Sequence, residues 1–193
     1  LLMKFLLYLR RFKIKSKNSV RLLLNQMEIV DNYLPEEEHK KLADFMMNVN
    51  GSDFAFFPLK YVAQEHEETP HWSWYGVHVF YINDVPVSPL FEPIIGDAFL
   101  GRINPVSLIR AKANFLPYTD EIRTHNFHQD YPEFRNKAAV YSINTCDGYT
   151  LFADGTKVDS VANRMLFFDA HQLHCSSTTS NSHGRYNINF NYL

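Results

Sequence analysis

Arg185-Tyr186-Asn187-Ile188-Asn189-Phe190 is the stretch that decides the fold of this chain. Side chains two apart on a strand share a face, so Arg185, Asn187 and Asn189 fall on one side and Tyr186, Ile188 and Phe190 on the other. The apolar side must cover a core. The polar side either meets solvent or lines a cavity, and a cavity is expected here because further polar donors earlier in the chain need a place to converge.

Those donors lie upstream. His174 stands 11 positions before Arg185, and Asp130 a further 44 before that, closing His128-Gln129-Asp130. On a strand His128 and Asp130 point the same way and Gln129 points away. The gap to His174 is long enough for two or three strands with their turns, so a sheet that folds back on itself can return His174 to the pair. Two imidazoles and one carboxylate can occupy one face of an octahedral ion such as Fe(II) and leave other positions open. Arg185 adds a planar, permanently charged fork suited to gripping a carboxylate. A lone HxD is weak, and nine histidines offer coincidences. His125 has the wrong parity to join Asp130 and reads as a loop residue, while His171 is the alternative to His174. The ordinary role of any one of these residues is a surface or hydrogen-bonded core position; their order and strand context favour a site.

In that order the motif resembles the Fe(II)/2-oxoglutarate-dependent dioxygenase superfamily. The flanking text, Lys137-Ala138-Ala139-Val140-Tyr141-Ser142-Ile143-Asn144, Asp147-Gly148 and Asn163-Arg164-Met165-Leu166-Phe167-Phe168-Asp169, is similar to its prolyl-hydroxylase-like branch, and most to compact proteins of bacteriophages and marine bacteria. The resemblance covers residues 27–193 and is strongest from Ile109 onward. It implies a double-stranded β-helix in which His128, Asp130 and His174 ligate iron and Arg185 binds the distal carboxylate of 2-oxoglutarate. Asn114 and Tyr141 stand near positions where relatives contact the cosubstrate, with Ser142 the alternative to Tyr141. The implied activity is hydroxylation of an unidentified substrate, a protein or peptide side chain or a small molecule, using Fe(II), 2-oxoglutarate and O2, with ascorbate as a stimulant and succinate and CO2 as products. Two other classes compete: a metal-free jelly-roll binding module, and a cupin-type metalloenzyme, whose additional acidic ligand is missing. A nucleic acid demethylase of the same superfamily commonly carries a second Arg six positions past the first, where this chain has Asn191.

Composition agrees with one globular unit. With 193 residues, 46% of them hydrophobic and 15% aromatic, the chain can bury one substantial core. Cys146 and Cys175 give neither a disulfide framework nor a zinc spacing, which points to a reducing cytoplasm and to an inert thiol at Cys175. The net charge of −2 conceals an asymmetry: residues 1–26 hold seven bases and no acid, leaving a body of twelve bases against 21 acids. Such a body is a poor general ligand for nucleic acid, so phosphate contact is expected only through the basic tail. The apolar run at 1–9 is far shorter than the roughly 20 residues that span a bilayer. It is also a poor secretory signal, because its charges follow the apolar run. Met27-Glu28-Ile29-Val30-Asp31-Asn32-Tyr33-Leu34-Pro35 resembles the start of the family's domain, which implies that residues 1–26 are an extension dispensable to a domain at 27–193.

A coarse pass places the motifs on an α+β, mainly β chain: a double-sheet jelly roll with helices packed on one outer face. A first strand is expected at 28–32. Leu34-Pro35 opens a helix running to about 49, with Glu36, Glu37 and Glu38 against its positive end and Leu42, Phe45 and Met46 as its apolar stripe. A mobile loop is read at 64–70 and a second helix at 90–100, despite Pro93 and Gly96. Further strands are expected at 109–116, 137–144, 149–152, 165–169 and 185–192, with Asp154-Gly155 as a hairpin turn. Trp72-Ser73-Trp74-Tyr75 reads as core strand, with a substrate entrance as the alternative.

Overall fold

The computed structural model describes residues 21–24, 27–49, 51–60, 62 and 70–193. The loop read at 64–70 therefore lies outside the described residues except at Pro70, and residues 1–20 of the basic extension lie outside them entirely. The strands are β1 (Arg21–Leu24), β2 (Met27–Val30), β3 (Phe57–Leu59), β4 (Tyr75–Ile82), β5 (Val85–Pro86), β6 (Leu108–Pro117), β7 (Lys137–Ser142), β8 (Tyr149–Phe152), β9 (Lys157–Asp159), β10 (Arg164–Asp169), β11 (His174–Ser176) and β12 (Gly184–Tyr192). The larger sheet runs β1-β2-β10-β7-β12-β6-β4-β3, with β5 on β4, and the smaller runs β11-β8-β9. β1, which the sequence places in the extension, pairs antiparallel with β2, Arg21 opposite Val30.

Strand parity sorts the residues of the large sheet into two layers. On one face Ala111 and Ala113 of β6, Ala139 and Tyr141 of β7, Met165 of β10 and Ile188 and Phe190 of β12 form a core with Phe80, Ile95 and Phe99. The helices cover this face, and the small alanines let them approach. On the other face Ala138, Val140, Leu166 and Phe168 meet Phe152 and Val158 of the small sheet, closing a sandwich. At the β6 and β12 end that inner layer turns polar, and the site lies there.

Helix α1 (Glu36–Met46) begins after Pro35 with three glutamates in its first turn, favourable against the unpaired N–H groups. It has no side-chain cap. Asn163 fixes its start instead: Leu34 N–H donates to Asn163 Oδ1 and Asn163 Nδ2 donates to the Leu34 carbonyl, both at 2.8 Å. The second helix, α2 (Phe91–Leu100), is wound with the wide π repeat and continues into one α-turn at Gly101–Ile103. Pro93 falls in its first turn, where a missing N–H costs no helical bond.

Candidate metal and cosubstrate site

The gap between Asp130 and His174 closes by direct strand pairing. The segment before β7 runs antiparallel along β11, with bridges Thr124–Ser177 and His128–His174. His128 and His174 exchange backbone N–H bonds at 2.9 and 3.0 Å. Directly opposed residues on antiparallel strands project to the same face. The two rings accordingly lie side by side, 4.5 Å between centroids. Asp130, two positions on, is pinned by its N–H to the Ala170 carbonyl at 3.1 Å. Gln129 turns the other way, is exposed, and donates to the His171 carbonyl.

His128, Asp130 and His174 each offer a ligand atom, all within 4.8 Å of one another. His128 Nε2 is 3.8 Å from Asp130 Oδ1. Both rings face backbone carbonyls through Nδ1, His174 toward Gln172 at 2.8 Å and His128 toward Asn126 at 3.4 Å. A carbonyl only accepts, so Nδ1 carries the proton and Nε2 presents a lone pair, as a metal requires. Burial and then the neighbouring His174 pull His128 down to about 4, and burial lowers His174, so both rings are neutral at neutral pH. Burial alone would raise the Asp130 carboxyl, but Arg110, His174 and Asn191 outweigh it and hold the group at about 2. Every donor is in its ligating form.

The Asp130 carboxylate is held from behind. Asn191 Nδ2 donates to Oδ2 at 3.0 Å, and Arg110 Nη2 lies 3.3 Å from Oδ1. Arg110 also grips Asn191 Oδ1 through Nε at 3.1 Å and Nη2 at 2.8 Å. Arg110 and Asn191 are cross-strand partners on β6 and β12. The position six beyond Arg185 is thus Asn, yet a guanidinium still reaches the carboxylate, from the adjacent strand.

Arg185 sits in the same cavity, which also receives His128, His174, Asn114, Thr150 and Val140. It is 2% exposed. Nη1 donates to the Tyr149 carbonyl at 2.7 Å and Nη2 to Thr150 Oγ1 at 3.0 Å, while buried Nε has no partner. Burial lowers Arg185 to about 10, which leaves it charged at neutral pH. No carboxylate among the described residues neutralises it. A buried cation with two neutral partners and a free N–H fits an incoming anion. The small residue behind it is required: a Cβ on Gly148 would lie 2.8 Å from both Arg185 Cδ and the Thr178 carbonyl.

The remaining expectations divide. Asn114 does line the cavity; its Nδ2 donates to Asn187 Oδ1 at 2.7 Å and its own Oδ1 is free. Tyr141 does not, and its assignment to the cosubstrate is corrected. It lies in the helix-side core, donating to Asn163 Oδ1 at 2.9 Å and meeting His39 Nδ1 at 2.7 Å. Its neighbour Val140 takes the cavity position, and Ser142 is buried without lining the cavity. His125 bonds Ser176 and packs on Trp72, and His171 sits beside Asp169 at 3.4 Å; neither joins the three-ligand group. Of the aromatic stretch, Tyr75 reaches the cavity, while Trp74 packs on Phe115 in an apolar groove. The Cys175 thiol is buried and pushed up to about 11, which makes it inert. Arg110, Lys112, Thr150 and Asn191 are neighbours of the candidate site that the sequence pattern alone left unmarked. Parity with Asn114 on β6 and with Arg185 on β12 is the signal that points to Arg110, Lys112 and Asn191.

No protein-family model matches the chain, and no curated protein is similar to it in sequence. Solved structures are similar in fold. An oxidoreductase of the 2OG-Fe(II) oxygenase family from Burkholderia pseudomallei superposes with a TM-score of 0.62 at 11% identity, over 86% of this chain and 85% of its own. A prolyl hydroxylase from Trichoplax adhaerens, in complex with a hypoxia inducible factor oxygen degradation domain peptide fragment, gives 0.60 at 13% identity over 87% and 84%. HygX from Streptomyces hygroscopicus, with nickel, 2-oxoglutarate and hygromycin B bound, gives 0.55 at 9% over 86% and 82%. The fold of this chain is the antiparallel jelly roll of the 2OG-Fe(II) oxygenases, prolyl hydroxylases among them.

Proposed function

We propose that this chain is an Fe(II)- and 2-oxoglutarate-dependent dioxygenase that hydroxylates an organic substrate. The observation that carries the reading is Arg185, a buried guanidinium without a carboxylate partner, in the same cavity as two neutral imidazoles that group with the ionised Asp130. His128 and His174 would hold the ion through Nε2 and Asp130 through a carboxylate oxygen, which is the donor set of non-haem Fe(II) oxygenases. Arg185 and Thr150 would receive the far carboxylate of the cosubstrate. Bound iron and 2-oxoglutarate would supply the oxidising power that places one oxygen of O2 into a C–H bond, with succinate and CO2 as coproducts. The protein's own part is to fix these groups and to keep water off them with Tyr75, Leu116 and Val140.

Proteins and peptides are the first substrate class to test, since the Trichoplax neighbour is a peptide complex. The cytoplasm is the compartment assigned, on the strength of two cysteines that are both free and buried. No helix among the described residues is long and apolar enough to cross a membrane. Anaerobic titration with Fe(II) and 2-oxoglutarate should give a metal-to-ligand charge-transfer band. Admission of O2, with ascorbate present, should then yield succinate that rises with the right substrate pool. Absence of the band would transfer the chain to the class of jelly-roll binding modules.

A further inference from the structure

Arg185 is not the only cation aimed into the cavity. Lys112 of β6 lies between Arg110 and Asn114 on the same face, opposite Asn189 of β12 in the strand register, and lines the cavity with His128 and His174. Among the described residues its ammonium makes no ion pair and no hydrogen bond; it lies over the face of Tyr75, 5.2 Å from the ring centroid. Burial and then the charge of Arg110 hold the amine down to about 7, with Asp130 only partly opposing them. Placing a lysine there is costly unless something arrives to match it.

If the function proposed above holds, on which this inference rests, the other charges already have partners. Arg110 is matched by Asp130, Arg185 by the far carboxylate of the cosubstrate, and the near carboxylate by the metal. Lys112 alone lacks an anion. We propose that Lys112 is the receptor for a carboxylate delivered beside the metal ligands, so that it selects the acidic group of the compound bound there. That carboxylate has two sources: an acidic group carried by the substrate, which the charge count favours, or the carboxylate of the oxo acid nearest the metal. Tyr75 keeps the amine out of bulk water, where a charge-assisted bond gains strength.

The test uses the full chain loaded with Zn(II), which ligates without turnover, and follows binding by calorimetry. One arm titrates pyruvate, which has only the near carboxylate and the keto group. The other titrates N-acetylglycine onto protein saturated with 2-oxoglutarate. In Lys112→Met the affinity of one probe should fall by about tenfold or more, the usual weight of a charge-assisted hydrogen bond, and Lys112→Arg should restore part of it. Loss for pyruvate assigns the cosubstrate as the source, and loss for N-acetylglycine assigns the substrate. Should the Met variant fold poorly, protection of Lys112 in the unaltered chain from reductive methylation by the same probes, read by mass spectrometry, replaces it. Changes under about twofold in both arms, or no protection, overturn the assignment of Lys112 while leaving the dioxygenase reading intact. An unaltered chain that takes up neither zinc nor 2-oxoglutarate overturns both.

Discussion

Replacement of Arg185 by Met separates cosubstrate recognition from the metal. Two costs and one gain set the expected size. The variant loses the bonds to the Tyr149 carbonyl and Thr150 Oγ1, at 2.7 and 3.0 Å, each worth about 1 kcal/mol net. It gains relief from burying a guanidinium that has no carboxylate beside it, and Met fills much of the same volume. The ligand-free stability should therefore change by less than about 2 kcal/mol in either direction. Cosubstrate binding loses far more, because truncating one member of a buried, hydrogen-bonded charge pair costs about 3–5 kcal/mol. That converts to a 2-oxoglutarate Kd higher by roughly 10²–10³-fold. Arg185 makes no hydrogen bond to the ligand triad, so the affinity for Zn(II) or Fe(II) should stay within about threefold. Calorimetric titration of metal, then of 2-oxoglutarate onto the metal-loaded protein, reads both quantities. An unchanged 2-oxoglutarate Kd, or equal losses for metal and cosubstrate, would refute the assignment of Arg185.

Three further outcomes follow from the same contacts. Asn191→Ala removes a buried donor from Asp130 and the acceptor of Arg110; competitive chelator titration should show metal affinity lower by about 10–100-fold, and wild-type affinity would discredit the clamp. Gly148→Ala should displace Arg185 and weaken 2-oxoglutarate binding with metal affinity retained; a crystal structure with Arg185 unmoved would contradict this. As pH falls below 6.5 the unfolded chain takes up a proton at His128 that the folded chain refuses until about pH 4. The stability conferred by neutral His128 is thus complete above pH 6.5 and drains away between the two values, with a ceiling of about 3 kcal/mol. Urea midpoints of metal-free protein at pH 7, 5 and 4 would show the decline, and a flat response would count against it.

The residues of the candidate metal site were legible because their signal is local. His128 and Asp130 obey strand parity, and β12 keeps one buried polar and one buried apolar face that the alternation of its residues announces. Tyr141 was misplaced for the opposite reason. β7 is covered on one side by helices and on the other by the small sheet, so Ala138, Ala139, Val140 and Tyr141 are all buried and the period of two disappears from the sequence. β11 spans only His174–Ser176, too short to show any period, although it carries a member of the candidate triad. Arg110 escaped notice because its role depends on which residue lies across from it, and a register between β6 and β12 is a tertiary fact. The helices were placed to within a few residues, while the wide winding of α2 left no mark in its residue pattern.

The pairing of His128 with His174 has a mechanical side as well. The strand segment that carries His128 sits at the margin of the small sheet, attached to β11 through isolated bridges rather than a continuous ladder. Margins of this kind open first when a protein breathes. An ion gripped from both sides would act as a rivet across that seam, so the exchange of the two histidine amides with solvent deuterium should slow when metal binds, giving a clock for occupancy that needs no substrate.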